Sequence, residues 1–81
     1  MPLTIIELMK RGTNISPHPS RKDHFLMDPV EVTSLKKYDT PFGDIEPMKK
    51  LHINGFCEGT QKVRVEERFW WAPIEIFEIV D

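Results

Sequence analysis

Three histidines and one cysteine are the chain's candidate bases, nucleophiles and metal ligands, and their spacing limits what they could do. His18 and His24 stand in a polar stretch, while His52 and Cys57 flank Asn54-Gly55. Asn-Gly is a strong hairpin signal, because both residues tolerate the positive φ of a type I′ turn. A two-residue turn there pairs Ile53 with Phe56 and His52 with Cys57, which sets an imidazole beside a thiol as thiolate activation requires. No orienting group, oxyanion motif or cleft can be read around that pair, and any cross-strand register produces such adjacency. Structural zinc sites use tighter ligand pairs, such as two cysteines about two to four residues apart. The sequence has no such pair, so no metal or cofactor is expected.

A second group is basic and aromatic: Lys62, Arg64, Arg68, Phe69, Trp70 and Trp71. Sheets that bind single-stranded nucleic acid offer aromatic rings for stacking beside cations for phosphates. Period two puts Val63, Val65, Phe69 and Trp71 on one face and Lys62, Arg64, Glu66 and Arg68 on the other. The first face predicts a core. Trp70 alone then shares the outer face with Arg64 and Arg68, and those three are the candidate nucleic-acid contacts. Glu66 and Glu67 interrupt the patch. The competing reading is a solvated strand face on which one tryptophan lies over an arginine stem.

A third candidate is Pro2. The opening Met-Pro-Leu-Thr-Ile-Ile-Glu-Leu resembles the start of small tautomerases, in which a terminal proline is the catalytic base. The resemblance implies that Pro2 would be that base once Met1 was removed. It covers eight residues of 81. In that family the segment is a strand running directly into a long helix, whereas a Pro-rich loop follows here.

The elements that must position these residues are organised around Gln61–Val80, which holds both tryptophans and an alternating apolar pattern typical of a half-buried strand. Upstream, Thr4 and Glu7 form a capping box, Ile5, Leu8 and Met9 make one apolar stripe, and Gly12 stops the helix. Residues 13–24 form a Pro-rich surface loop, and Phe25-Leu26-Met27 returns the chain to the core. For 29–37 the Asp28-Pro29 start signal argues helix, whereas Val30 and Val32 argue strand, the preferred reading. Residues 39–47 are a loop. Beyond it, an antiparallel meander of strands at 49–53, 56–58, 61–71 and 74–80 is expected, with a second turn candidate at Glu58-Gly59-Thr60. The fold class is therefore α+β, mainly β: a short N-terminal helix on a three- to four-stranded antiparallel sheet or small curled barrel.

Eighty-one residues make a single small domain, 1–81, near the lower end of what a core can stabilise unaided. A lone cysteine excludes an intramolecular disulfide framework and suits a reducing compartment. No run reaches the length of a membrane span and no signal peptide is visible, so a cytoplasmic protein is expected. Residues 1–37 carry six bases and four acids, and residues 38–81 carry five bases and nine acids. The acidic balance argues against a general nucleic-acid binder without excluding a local basic patch. In the last strand Ile74, Ile76 and Val80 alternate with Phe77 and Ile79. One short helix cannot cover both faces, so Phe77 and Ile79, flanked by Glu75 and Glu78, are candidates for contact with a basic protein partner or a second copy.

Without a phosphate loop, paired catalytic acids or metal spacing, a binding role is favoured over an enzymatic one. The favoured reading is a small regulator or inhibitor acting on a protein partner, of the kind that phage and mobile elements encode. The alternative is a nucleic-acid-binding module using the 62–70 face. An enzyme built on Cys57 and His52 or on Pro2 comes third.

Overall fold

The computed structural model describes residues 2–80. It consists of one short helix, α1 (Ile5–Arg11), and an antiparallel sheet of six strands. The strands are β1 (Ser16–Pro17), β2 (His24–Ser34), β3 (Lys50–Cys57), β4 (Lys62–Val65), β5 (Trp70–Pro73) and β6 (Phe77–Ile79). They follow the order β1-β2-β3-β4-β5, with β6 pairing on the other half of β2's free edge. The sheet stays open: β5 and β1 are its ends and do not meet. Among the described residues, no helix is long and apolar enough to cross a membrane.

Thr4 caps the helix as the sequence predicts. Thr4 Oγ1 accepts from the Glu7 amide at 3.2 Å, and the Gly12 amide closes the helix on the Leu8 carbonyl. Leu8 is fully buried, and α1 docks through it onto the inner face of the sheet. That docking is what stabilises two helical turns too short to persist alone. Pro2 and Leu3 lead directly into this helix, so the strand that begins a small tautomerase is missing here.

Residues 29–34 lie in β2, as their β-branched side chains favour. Asp28 and Pro29 do not start a helix; they sit where the β2–β3 register shifts between Leu26 and Val30. Proline suits such a bulge, where no ladder hydrogen bond is required of it. Asp28 instead accepts from Thr13 Oγ1 and Asn14 Nδ2, tying the loop after α1 to the strand.

Of the two turns the sequence predicts here, the second forms and the first does not, and a further turn interrupts an expected strand. Asn54-Gly55 is not a hairpin turn but lies inside β3. The reason is close approach: a Cβ on Gly55 would sit 2.9 Å from the Phe25 carbonyl of β2. Here glycine serves by lacking a side chain and not by adopting positive φ. The turn comes at residues 58–61, at the Glu58-Gly59-Thr60 signal, where Gln61 takes φ 54° and its side-chain Nε2 donates to the Glu58 carbonyl. The expected strand 61–71 also breaks. After Val65 the chain makes a 3-10 turn over Glu66–Arg68, and Phe69 adopts the left-handed region at φ 52°, ψ 35°. Strands β4 and β5 are thus the two arms of a hairpin, in which Arg64 pairs with Trp71 and Val65 with Trp70.

The core lies on the inner face. Val32, Leu51, Ile53, Phe56, Val63, Val65 and Ala72 are buried there beside Leu3, Leu8 and Ile45. The C-terminal stretch joins them by changing period. Ile74–Ile76 is a 3-10 turn, so Ile74, Ile76 and Phe77 are all buried instead of alternating between faces. Two faces no longer compete for cover.

Candidate functional site

The imidazole–thiol pair does not form. His52 and Cys57 lie in one continuous strand, five residues apart, a span of about 16 Å at strand rise. Cys57 is buried and pairs across the sheet with His24 and Lys62. His52 has a different partner, Glu67 on the β4–β5 turn. One carboxylate oxygen accepts from the His52 amide at 2.8 Å and the other lies 2.6 Å from Nδ1. This hydrogen bond raises the imidazole above its ordinary value; partial desolvation opposes the rise, and the negative charges of Glu67, Glu31 and Glu66 support it. Burial pushes the Glu67 carboxyl up, but hydrogen bonds from the His52 side chain and backbone outweigh it and hold the group low. The pair pins the turn to β3. Among the described residues, no three His, Cys, Asp or Glu side chains are grouped as metal ligands.

That pinned turn carries an aromatic tip. Phe69 is 66% exposed, Trp70 40% and Phe42, on the 39–47 loop, 61%. Phe42 and Trp70 pack with ring centroids 5.9 Å apart. Arg68 does not lie on the strand face with Arg64. Its Nε donates to the Asp44 carbonyl at 3.0 Å, and its Nη1 reaches the Glu67 carbonyl, so it staples the loop to the turn. Gly43 sits beside that side chain at φ 123°, a backbone conformation that favours glycine. Acids dominate the same segments. Asp39, Glu46 and Glu66 are exposed and form no ion pair among the described residues, while Asp44 meets Lys37 at 3.9 Å. Phe69, expected in the core, is instead the residue most fully presented on this tip.

The outer face of the sheet holds a second feature. The left-handed Phe69 reverses the alternation of the ribbon, so Trp71, expected inside, lies on the outer face opposite Arg64. With His18, Arg21, His24 and Leu26 these two residues line a recess of about 310 Å³. The 18–24 segment folds back along β2, with the His18 amide on the His24 carbonyl at 2.8 Å. The His24 ring stands edge-on to Trp71 at 4.9 Å and 65°, and to His18 at 6.4 Å. Nδ1 of His24 is buried with no hydrogen-bond partner among the described residues, and its ring packs against Trp71. Arg64 is half-buried and donates to Asn54 Oδ1 at 3.1 Å.

The sequence-derived residues are thereby dispersed. Arg64, Arg68 and Trp70 do not share one surface: Arg64 belongs to the recess, Arg68 braces the tip and Trp70 is part of it. Phe77 is wholly buried and offers nothing to a partner, and Ile79 is half-buried against the core. β6 is hydrogen-bonded to β2 on one side, and on the other its Phe77 carbonyl accepts from the Leu3 amide at 2.7 Å. Glu78 is half-buried, and exposed Glu75 lines a groove of about 610 Å³ with Pro2, Thr4, Lys62 and Pro73. Phe42 escaped the sequence reading, although one signal was present: it is a lone aromatic between Pro41 and Gly43, where no apolar neighbour gives it a core to join. His18, Arg21 and His24 gave no signal beyond a polar, basic loop. No protein-family model matches the chain, and no curated protein or solved structure is significantly similar to it.

Proposed function

We propose that this is a non-enzymatic binding protein, a small regulator or inhibitor that docks a protein partner through the aromatic tip of Phe42, Phe69 and Trp70. The observation that carries the reading is that three large aromatic side chains stand exposed together on a turn and loop held rigid by Glu67–His52 and by Arg68 on the Asp44 carbonyl. Contiguous exposed aromatics mark interaction surfaces, and tryptophan is enriched among residues that dominate binding energy. A braced tip loses little conformational freedom on docking. Asp39, Glu46 and Glu66, exposed on the same loop and turn and without an ion pair among the described residues, favour a partner that presents an apolar pocket rimmed by lysine and arginine. The tip replaces the C-terminal strand as the contact surface, because Phe77 is buried.

The test is affinity capture from the source cell with nuclease present, comparing the wild type with a Phe69→Gly, Trp70→Thr variant. Phe69 adopts φ 52°, so glycine suits its backbone and stability should be unchanged or raised by up to about 1 kcal/mol for that change. The wild type should retain a basic protein that then binds directly in purified form, and the folded variant should lose it. Phe42→Ala serves as a second, milder lesion. Undiminished capture by both variants, capture that vanishes with nuclease, or a second copy of this chain as the sole ligand would sink the proposal.

A further inference from the structure

We propose that the recess lined by His18, Arg21, His24, Leu26, Arg64 and Trp71 binds a single nucleotide unit, its base against Trp71 and its phosphate on the guanidinium groups of Arg21 and Arg64. The composition of the lining points to this ligand. It offers two guanidinium groups, two imidazoles and an indole, and no carboxylate. Among the described residues neither Arg21 nor Arg64 has an ion-pair partner, although the chain as a whole carries a net charge of −2. An uncompensated pair of arginines in an acidic protein is a local site for an anion. The planar fork of guanidinium matches phosphate oxygens bidentately, and one hydrogen bond to Asn54 leaves Arg64 most of its donors.

Trp71 supplies the second half of the recognition. It is half-buried, paired with Arg64 across the β4–β5 hairpin and held edge-on by His24, so its orientation is set before a ligand arrives. Base–aromatic stacking beside a phosphate-binding cation is how sheets take up unpaired nucleotides, and it tolerates any base because every base has a π-face. Size sets the stoichiometry. About 310 Å³ lies at the lower limit of ligand sites, which run from about 300 to 1,000 Å³, so the recess takes one unit and not a stack. The nucleotide could be free or could be one unpaired residue of a single strand, and the chemistry recognised is the same.

The experiment uses a Trp70→Phe chain, which leaves Trp71 as the only tryptophan of the two and hence the only indole fluorophore. Emission is followed during titration with AMP, with adenosine, and with a single-stranded oligoadenylate. AMP or the oligonucleotide should change Trp71 emission saturably, and adenosine, lacking phosphate, should bind at least about tenfold more weakly than AMP. Arg21→Gln, on an exposed loop, and Arg64→Gln should each weaken AMP by about tenfold. Affinity should also fall as salt rises. An oligonucleotide that binds far tighter than AMP identifies a single strand as the source, and equal affinities identify the free nucleotide. Three results would overturn the inference: no saturable response to AMP or oligonucleotide, adenosine binding as well as AMP, or both arginine variants binding like their parent. None of these bears on the aromatic tip, which shares no residue with the recess.

Discussion

The tip and the recess are built from the same hairpin and have opposite character. The tip presents exposed aromatics on a turn and a loop whose charged residues are mostly acids, and it is braced from behind. The recess holds its aromatic half-buried between strands, surrounded by arginines and imidazoles and without an acid in its lining. Trp70 and Trp71 are neighbours in sequence, yet one serves each region. What separates them is the 3-10 turn ending in left-handed Phe69, which sets the register so that Trp71 faces Arg64 and Trp70 faces Val65 at the end of the sheet. Adjacent aromatics on a strand are thus two surfaces and not one, and charge sorts which partner each can meet.

The largest effect should come from the shared support. Phe77 is fully buried, so Phe77→Ala should cost about 3–5 kcal/mol in chemical denaturation, enough to unfold a marginal domain and abolish both regions together. A variant as stable as the wild type would return Phe77 to the surface and reopen the C-terminal strand as an interface. An intermediate effect should fall mainly on the recess side. Gly55→Ala places a methyl against the Phe25 carbonyl, where backbone must move, and should cost about 1–3 kcal/mol. Because β2 carries His24 and Leu26, the AMP response should weaken while the tip keeps its partner; equal loss at both would mean that the two regions are mechanically one.

The smallest effect concerns the tip alone and depends on pH. His52 is raised in the folded protein, so its contribution is complete below its ordinary value of 6.5 and is lost as pH rises through the folded value. Glu67 is lowered, so its contribution is present above its ordinary value of 4.5 and is lost as pH falls through the folded one. The stability difference between wild type and Glu67→Gln should therefore be greatest between those two ordinary values and shrink on either side. Urea midpoints measured from well below the lower of these values to well above the upper one, if parallel for the two proteins at every pH, would show that the pair does not brace the turn.

Short-range physics made part of this molecule legible in its sequence. Thr4 and Glu7 define the helix start because capping needs only neighbouring residues, and β-branched Val30 and Val32 mark β2 for the same local reason. The alternation of Val63 and Val65 marked the inner face of β4, and Glu58-Gly59-Thr60 marked a turn. A mainly β chain with one short helix followed from these signals. Tertiary structure decided the rest, because the determining contacts are distant in sequence. Gly55 stays in a strand because Leu26 and Arg64 pair with it from either side, and it must be glycine because the Phe25 carbonyl lies too close for a Cβ, neither of which local turn preference can register. Glu67 and Arg68 hold the turn through His52 and the Asp44 carbonyl, 15 and 24 residues away, and so let Phe69 take a backbone conformation its own side chain disfavours. Period-two counting assumes an unbroken strand; one left-handed residue ended it and exchanged the faces of the two tryptophans. The recess has the same origin. Its residues come from the 18–24 return, β2, β4 and β5, and only antiparallel pairing across the sheet brings arginines from two ends of the chain beside one indole.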